Sequence, residues 1–328
     1  MTSSPLRGAE VWQRAVGLAR AARANPLNFD AVNEVVQTLA RLATDPALDP
    51  HALHTLHMPH AYIAPQLPAT DDWPLISVVI CSIDERKFRA VTDNYKSLIP
   101  AAKLDLIGIH DAKGLNEAYN RGLDASRGEI VIFSHDDIQM LNEDFAARVA
   151  KHLQTQQLIG VAGTTRVTGP GVMWSGHPHS HGWVTHPDKQ RGGWMVSSYT
   201  AGFETVGSAQ ALDGVWMAAR RDAATKIRFD ANLPGFHFYD LDFSYRAHLA
   251  GQRVAICPDL RVVHESFGNF GPAWQQAQQR FMAKYPHLNA KAGSFHSYGA
   301  HAQSLDAVMR FYAWLERLAH ETLVTPQP

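Results

Sequence analysis

Cysteine is scarce in this 328-residue sequence, which has only Cys81 and Cys257. Both sit in apolar runs, Val78-Val79-Ile80-Cys81 and Val254-Ala255-Ile256-Cys257, where a reduced, buried thiol is the expected state. That excludes a disulfide framework and a cysteine-built zinc ribbon. An excess of one charge is missing too: 30 Lys and Arg stand against 31 Asp and Glu, for a formal net charge of -1. Such a balance lacks the overall footprint of a nucleic-acid or anionic-membrane binder. No apolar run approaches the roughly 20 residues that cross a bilayer. The first residues lack the basic start, apolar stretch and cleavage site of a secretory signal, so a cytoplasmic location is expected. What is present, 45% hydrophobic and 19% charged residues, suits a packed globular chain. Its length allows one large α/β domain with helical additions, or two domains.

Helical spacing opens the chain. Val11, Ala15, Leu18 and Ala22 recur on one face, as do Phe29, Val32, Val36, Leu39 and Leu42, with Asp30 a candidate cap for the second helix. Residues 45–74 are rich in Pro and His and weakly periodic, as in a linker. His51, His54, His57 and His60 in that stretch have no acidic or Cys partner and fit a solvated stripe better than a metal site. From Leu75 the character changes. Leu75–Ile80, Leu104–Ile109, Glu129–Ser134 and Ile159–Gly163 read as strands buried on both faces, separated by helical segments around Arg89–Leu98, Asn116–Ser126 and Asp144–Leu153. The alternation implies a doubly wound α/β sheet, in which ligands bind beyond the carboxyl ends of the strands. Domain boundaries are expected at 1–72 for a helical module and linker, 73–270 for the α/β domain and 271–328 for a C-terminal helical segment. Trp274–Tyr285 and Ser304–Ala319 read there as amphipathic helices packing on the core or on a second copy of the chain.

The polar residues that follow the apolar runs form a series. Ser82, Asp84 and Glu85 follow the first strand, His110, Asp111 and Lys113 the second, and His135, Asp136 and Asp137 the third. Asp213-Gly214 precedes the apolar Val215–Ala219. Phe238-Tyr239-Asp240-Leu241-Asp242 opens a helix that Gly251 closes, and the strand Arg253–Cys257 leads through Pro258 to Val262-Val263-His264. Acidic groups thereby collect along one edge of the expected sheet, where a metal-bound diphosphate would be held.

These residues resemble the glycosyltransferases of the GT-A fold, in the large inverting family (family two) that includes many bacterial glycan-building enzymes. Gly114-Leu115-Asn116-Glu117-Ala118-Tyr119-Asn120-Arg121-Gly122, Ala125 and Arg127–Phe133 look like its central signature, running into His135-Asp136-Asp137 where the family carries Asp-any-Asp. Asp213-Gly214, Tyr239-Asp240-Leu241-Asp242 with Arg246, Gly251, and His264 match later landmarks in order, so the likeness covers about Leu75–Gly268. His135 replaces the first acid of the metal motif, and Tyr239-Asp240 stands where Glu-Asp is usual. The resemblance implies a nucleotide-diphospho-sugar transferase with a doubly wound mixed sheet and helical additions at both ends. It also implies a nucleotide-sugar donor, a glycan, lipid-linked or protein acceptor, and a divalent cation, Mn2+ or Mg2+.

Displacing a nucleoside diphosphate from an anomeric carbon needs negative charge stabilised, a task for a hard cation on carboxylates. Asp137 and His264 are the expected ligands, the imidazole favouring Mn2+. Asp240 is the expected base for the acceptor hydroxyl. Ser82, Asp84, Lys113, Asn120, His135, Asp136 and Asp213 are candidate donor contacts, with Arg121 a further phosphate partner. Taken alone, Asp136-Asp137 also fits a turn after a strand, and Asp240 and Asp242 fit helix-end acids. The stretch Trp174–Trp194, with His177, His179, His181 and His186, supports a second reading, a metal-dependent hydrolase. Against it stands a loop over the acceptor whose Trp rings face sugars. A third reading is a non-catalytic nucleotide-sugar or glycan-binding protein.

Overall fold

A computed structural model of the chain describes residues 5–25, 28–48, 73–168, 178–199, 204–268, 270–288 and 297–324. Its residues divide between two compact units, one drawn from 1–66, 185–204 and 296–328, the other from 67–184 and 205–295. The linker histidines, Trp174 and His177 lie outside the described residues.

The larger unit carries the expected α/β sheet; the labels below count its elements alone. Strand β1 (Ile76–Cys81) is followed by α1 (Glu85–Leu98), β2 (Leu104–Ile109), α2 (Leu115–Ala125), β3 (Ile130–Ser134), β4 (Ile138–Met140), α3 (Phe145–Thr155), β5 (Leu158–Gly160) and β6 (Ala162–Thr164). Then come β7 (Ala211–Leu212), β8 (Trp216–Arg220), α4 (Arg221–Ile227), α5 (Tyr239–Leu249), β9 (Val254–Ile256), β10 (Val262–His264) and α6 (Pro272–Lys284). Six strands form one sheet in the order β9-β5-β8-β3-β1-β2. All pairs are parallel except those of β8, which runs antiparallel to both β3 and β5. The sheet is therefore mixed and doubly wound. The run read as a single strand at Ile159–Gly163 is two, because Val161 breaks the ladder and β6 pairs instead with β7 and with Ser180–Gly182.

Both faces of this sheet are covered, which is why its strands are apolar throughout. On one face Val79, Phe133 and Met217 pack with Tyr119 and Leu123 of α2 and Phe243 of α5. On the other, Tyr95 of α1 donates to Ser134 Oγ at 2.9 Å, and Phe145 of α3 meets Trp216 at 5.8 Å between centroids. Gly122 is where α2 crosses β1: a Cβ there would lie 2.1 Å from Val79 Cγ1. Gly251, at φ +75°, ends α5 in the left-handed conformation as its sequence position predicts.

In the smaller unit, helices Pro5–Ala24, Phe29–Thr44 and Leu305–Val324 pack with the antiparallel strands Trp194–Ser198 and Tyr298–Ala302. The first helix buries Trp12, Ala15, Val16, Ala19 and Ala22, while Val11 is exposed. Its core face is thus turned from the expected Val11-Leu18 line, since Trp12 packs on Trp314 at 5.0 Å beneath Arg317. The second helix is capped by Asn28, whose Oδ1 accepts from Ala31 N at 3.2 Å, and not by Asp30. The stretch expected to be a loop over an acceptor contains the strand Ser180–Pro187. Trp183 in that strand is 1% exposed and offers no open face.

Asp242 is the main polar tie within the larger unit. It is fully buried and meets Arg246 Nε at 2.7 Å, Lys284 Nζ at 2.6 Å and the Tyr285 hydroxyl at 2.7 Å. Arg246 also donates to the Ile227 and Arg228 carbonyls, so the helix carrying Tyr239-Asp240 is joined to α6 and to the end of α4. Removing one partner of a buried ion pair leaves the others uncompensated. Asp242→Ala is expected to lower stability by about 3 kcal/mol in denaturant unfolding of the full chain.

Candidate active site

The antiparallel sense of β8 brings two distant segments together. Trp216 is in register with Ser134, so Asp213-Gly214, just before β8, lies beside His135-Asp136-Asp137, just after β3. The two are joined by His135 N donating to Val215 O at 3.2 Å. From the other side, β10 runs antiparallel to β4 with His264 in register with Ile138, and Glu265 N donates to Asp137 O at 3.0 Å. Three segments distant in sequence therefore meet at one sheet edge.

His135, Asp137 and His264 form a cluster whose ligand atoms all lie within 4.8 Å of one another. His264 Nε2 is 3.3 Å from Asp137 Oδ1, and His135 Nδ1 is 3.8 Å from the same oxygen and 3.4 Å from His264 Nε2. The Asp137 side chain is only 8% exposed. Burial acts to raise its pKa, yet the hydrogen bond and charge of His264, with His135 and Ser266, hold the carboxyl well below the usual range. His135 is pushed down to about 4, first by burial and then by His264, so its imidazole is neutral at pH 7. An ionised carboxylate with imidazole nitrogens is the donor set that Mn2+ accepts. A second His-Cys-Asp group, His152, Cys257 and Asp259, is already closed by hydrogen bonding. Both Asp259 oxygens lie 2.9 Å from His152 Nε2, and Arg148 stands 3.4 Å away. Among the described residues, neither His179 nor His181 belongs to a metal-capable group.

Gly214 is gripped at both ends of its residue. Its N–H donates to Asp240 Oδ2 at 2.7 Å, and its carbonyl accepts from the Tyr239 hydroxyl at 3.0 Å. A Cβ at this position would lie 2.1 Å from the Tyr239 oxygen and 2.7 Å from Asp240 Cβ, so glycine is required. Asp240 is pushed up to about 7 by burial and then by the charge of Asp213, with backbone N–H groups of Leu241 and Gly214 acting the other way. Asp213 is itself raised by burial.

The signature residues hold this geometry from below. Asn116 Nδ2 donates to Leu233 O at 2.6 Å, Leu115 N to Gly235 O at 3.0 Å, and Asn120 takes both polar groups of Phe229 at 2.8 and 2.9 Å. Asn120 thus fastens the segment leading into α5 and does not stand with the cluster. Phe238, the last residue before α5, has φ +62°, and its ring packs on Trp274 and Phe281. The other expected residues divide. Ser82 Oγ donates to Asp136 Oδ2 at 2.6 Å, joining the ends of β1 and β3. Asp84 caps α1, accepting from Arg86 and Lys87 N–H. Lys113 is exposed, and Arg121 is engaged by Asp111 and Glu117 at 2.9 and 2.8 Å.

Sequence reasoning overlooked three groups. Lys87 Nζ lies 3.6 Å from Asp137 Oδ2, Ser266 Oγ lies 3.1 Å from His264 Nε2, and the Tyr239 hydroxyl lies 2.7 Å from His135 Nε2. Lys87 was legible only as a helix-surface cation; the cap at Asp84 is what starts the helix so that its first turn faces the site.

Residues 77–285, more than half of the chain, match the family described as glycosyltransferase like family. The chain belongs to that family. No curated protein matches this glycosyltransferase-family chain in sequence. Among solved structures it is similar to a mannosyltransferase from Pyrobaculum calidifontis in complex with GDP-Man and Mn2+, at 15% identity over 95% of this chain and 86% of that one, with a TM-score of 0.44. It is also similar to GalNAc-T7 with UDP, GalNAc and Mn2+, at 12% identity over 65% and 48% with a TM-score of 0.43. S. aureus TarS 1-349 aligns at 13% identity over 74% and 71%, with a TM-score of 0.38. No helix among the described residues is long and apolar enough to cross a membrane.

The lowered His135 pKa makes a direct prediction. In metal-free protein its ring resonances should show no protonation between pH 8 and 5.5 in an NMR titration, since the folded-state pKa lies near 4. A midpoint near 6.5 would contradict the neutral ring.

Proposed function

We propose that the protein is an inverting, metal-dependent glycosyltransferase that moves a hexose from a nucleotide-diphosphate sugar to an acceptor hydroxyl. The single observation that carries this reading is the juxtaposition of the His135-Asp137-His264 cluster with the half-buried Asp240 across the Gly214 residue. One group suits a diphosphate-bound cation, and the other suits a proton acceptor. We place the transferase in residues 73–270, with 1–72 and 271–328 as additions.

Asp137 and His264 would hold a divalent cation, Mn2+ rather than Mg2+ because one ligand is an imidazole. Bound there, the ion would stabilise the negative charge of the departing diphosphate. Lys87, 3.6 Å from Asp137, adds positive charge to the same side. Ser82 and Asp136 close the edge of the site between the ends of β1 and β3; with Asp84 and Asp213 they are the proposed donor contacts. Asp240 takes the acceptor proton as the hydroxyl attacks the anomeric carbon from the face opposite the leaving group. Its raised pKa makes it a stronger base than an exposed carboxylate, and the Gly214 N–H fixes which oxygen is turned inward. A direct displacement by a single base inverts the anomeric centre.

The acceptor is a glycan, a lipid-linked sugar or a protein hydroxyl, and a cytoplasmic location suits a nucleotide-sugar donor. The hydrolase reading centred on His177, His179 and His181 has no support among the described residues, and a purely binding role leaves the placement of Asp240 without use.

Asp240→Asn is expected to lower turnover by at least about a hundredfold while donor binding is kept; full turnover in the folded variant would remove the proposed base. Because a base works only when ionised, the rate should rise with pH through about 7 and fall about tenfold per unit well below it. An acid limb near pH 4 would contradict the raised carboxyl pKa. In a thermal-shift screen, nucleoside diphosphates should stabilise the protein only with Mn2+ present, and Asp137→Ala should lose that stabilisation. Equal stabilisation without metal would count against metal dependence.

A further inference from the structure

We infer that Tyr239 is a positioning residue for the metal, fixing His135 so that its Nδ1 becomes a third ligand beside Asp137 and His264. This rests on the metal-dependent reading above and adds to it a ligand and its support. The Gly214 carbonyl can only accept, and the Tyr239 hydroxyl reaches it at 3.0 Å. The single phenolic proton goes there or to the neighbouring Tyr119 hydroxyl, and on either course the Tyr239 oxygen is left to accept. His135 Nε2, 2.7 Å away, supplies the N–H. The imidazole is thereby held as the Nε2–H tautomer, with a bare lone pair on Nδ1.

That bare nitrogen is the one turned into the cluster. Nδ1 lies 3.4 Å from His264 Nε2 and 3.8 Å from Asp137 Oδ1. A metal-ligating imidazole ordinarily gives its other N–H to an oxygen that fixes the ring, and here the oxygen is a phenol. Tyr239 is well placed to do so because it is packed in on several sides. It is 3% exposed, packed against Tyr119 at 5.5 Å and Phe229 at 6.4 Å, and faces a position where no residue larger than glycine fits.

The same contacts link ligand and base. Tyr239 and Asp240 are successive residues, and they hold the carbonyl and the N–H of the same glycine. A shift of the metal cluster is thus transmitted to the base through one residue of backbone.

The test uses the full chain, Mn2+ as probe and the free-ion electron paramagnetic resonance signal as readout, with nitrogen-15 NMR of the histidines in metal-free wild type. His135 should appear as the Nε2–H tautomer. Tyr239→Phe should weaken Mn2+ binding by about 10- to 100-fold with its melting temperature near that of wild type. His135→Ala should weaken it at least as much, and the double variant no further than His135→Ala alone, because both act through one ring. An Nδ1–H tautomer, wild-type Mn2+ affinity in Tyr239→Phe, or additive losses would overturn the inference while leaving a two-residue Asp137-His264 site intact. Wild-type protein that binds no Mn2+ at all would overturn the metal reading itself.

Discussion

A carboxylate that is nearly closed off from water keeps its charge only if positive charge or donors replace the lost hydration. Asp137 meets this condition through His264 at 3.3 Å and Lys87 at 3.6 Å. Around it, burial works in opposite directions on different groups. It keeps His135 neutral and raises Asp240 toward the protonated form, while Asp137 stays ionised. In the transferase we propose, two carboxylates of one unit are thus given different tasks by their surroundings, one for holding a cation and one for exchanging a proton.

The topology exists to bring these groups to one edge. A fully parallel sheet would place the start of the Trp216–Arg220 strand at the far end from Asp137. Its reversal puts Asp213-Gly214 alongside His135. Below the site, the polar residues of the family signature act as fasteners. Asn116 and Asn120 hold the 229–235 segment, and Arg127 locks to Asp105 at 2.6 Å at the opposite end of the strands. Strain at Phe238, where a non-glycine residue takes a left-handed conformation costing roughly 1–2 kcal/mol, is offset by ring packing on Trp274 and Phe281 and delivers Tyr239-Asp240 into place.

Much of this was legible in the sequence. The buried strands, the helix closed by Gly251 and the meeting of Asp137 with His264 followed from apolar runs and ordered landmarks. The rest depended on tertiary geometry. Nothing local tells that Asn120 spends its amide on Phe229, that Lys87 and not Lys113 reaches the cluster, or that His135 joins it through Tyr239. The first helix misled because Val11 and Ala15 share a periodic face with Trp12 one position over, and only the partner Trp314 decides which face is buried. Asn28 was missed as a cap because Asp30, two residues on, is an equally good acid for a first turn.

The most direct test of the central claim is anomalous diffraction at the manganese edge from crystals of the full chain grown with Mn2+ and a nucleoside diphosphate. A single strong peak is expected at the cluster of His135, Asp137 and His264. A nucleotide bound with no peak at that cluster, or a peak elsewhere on the molecule, would contradict it.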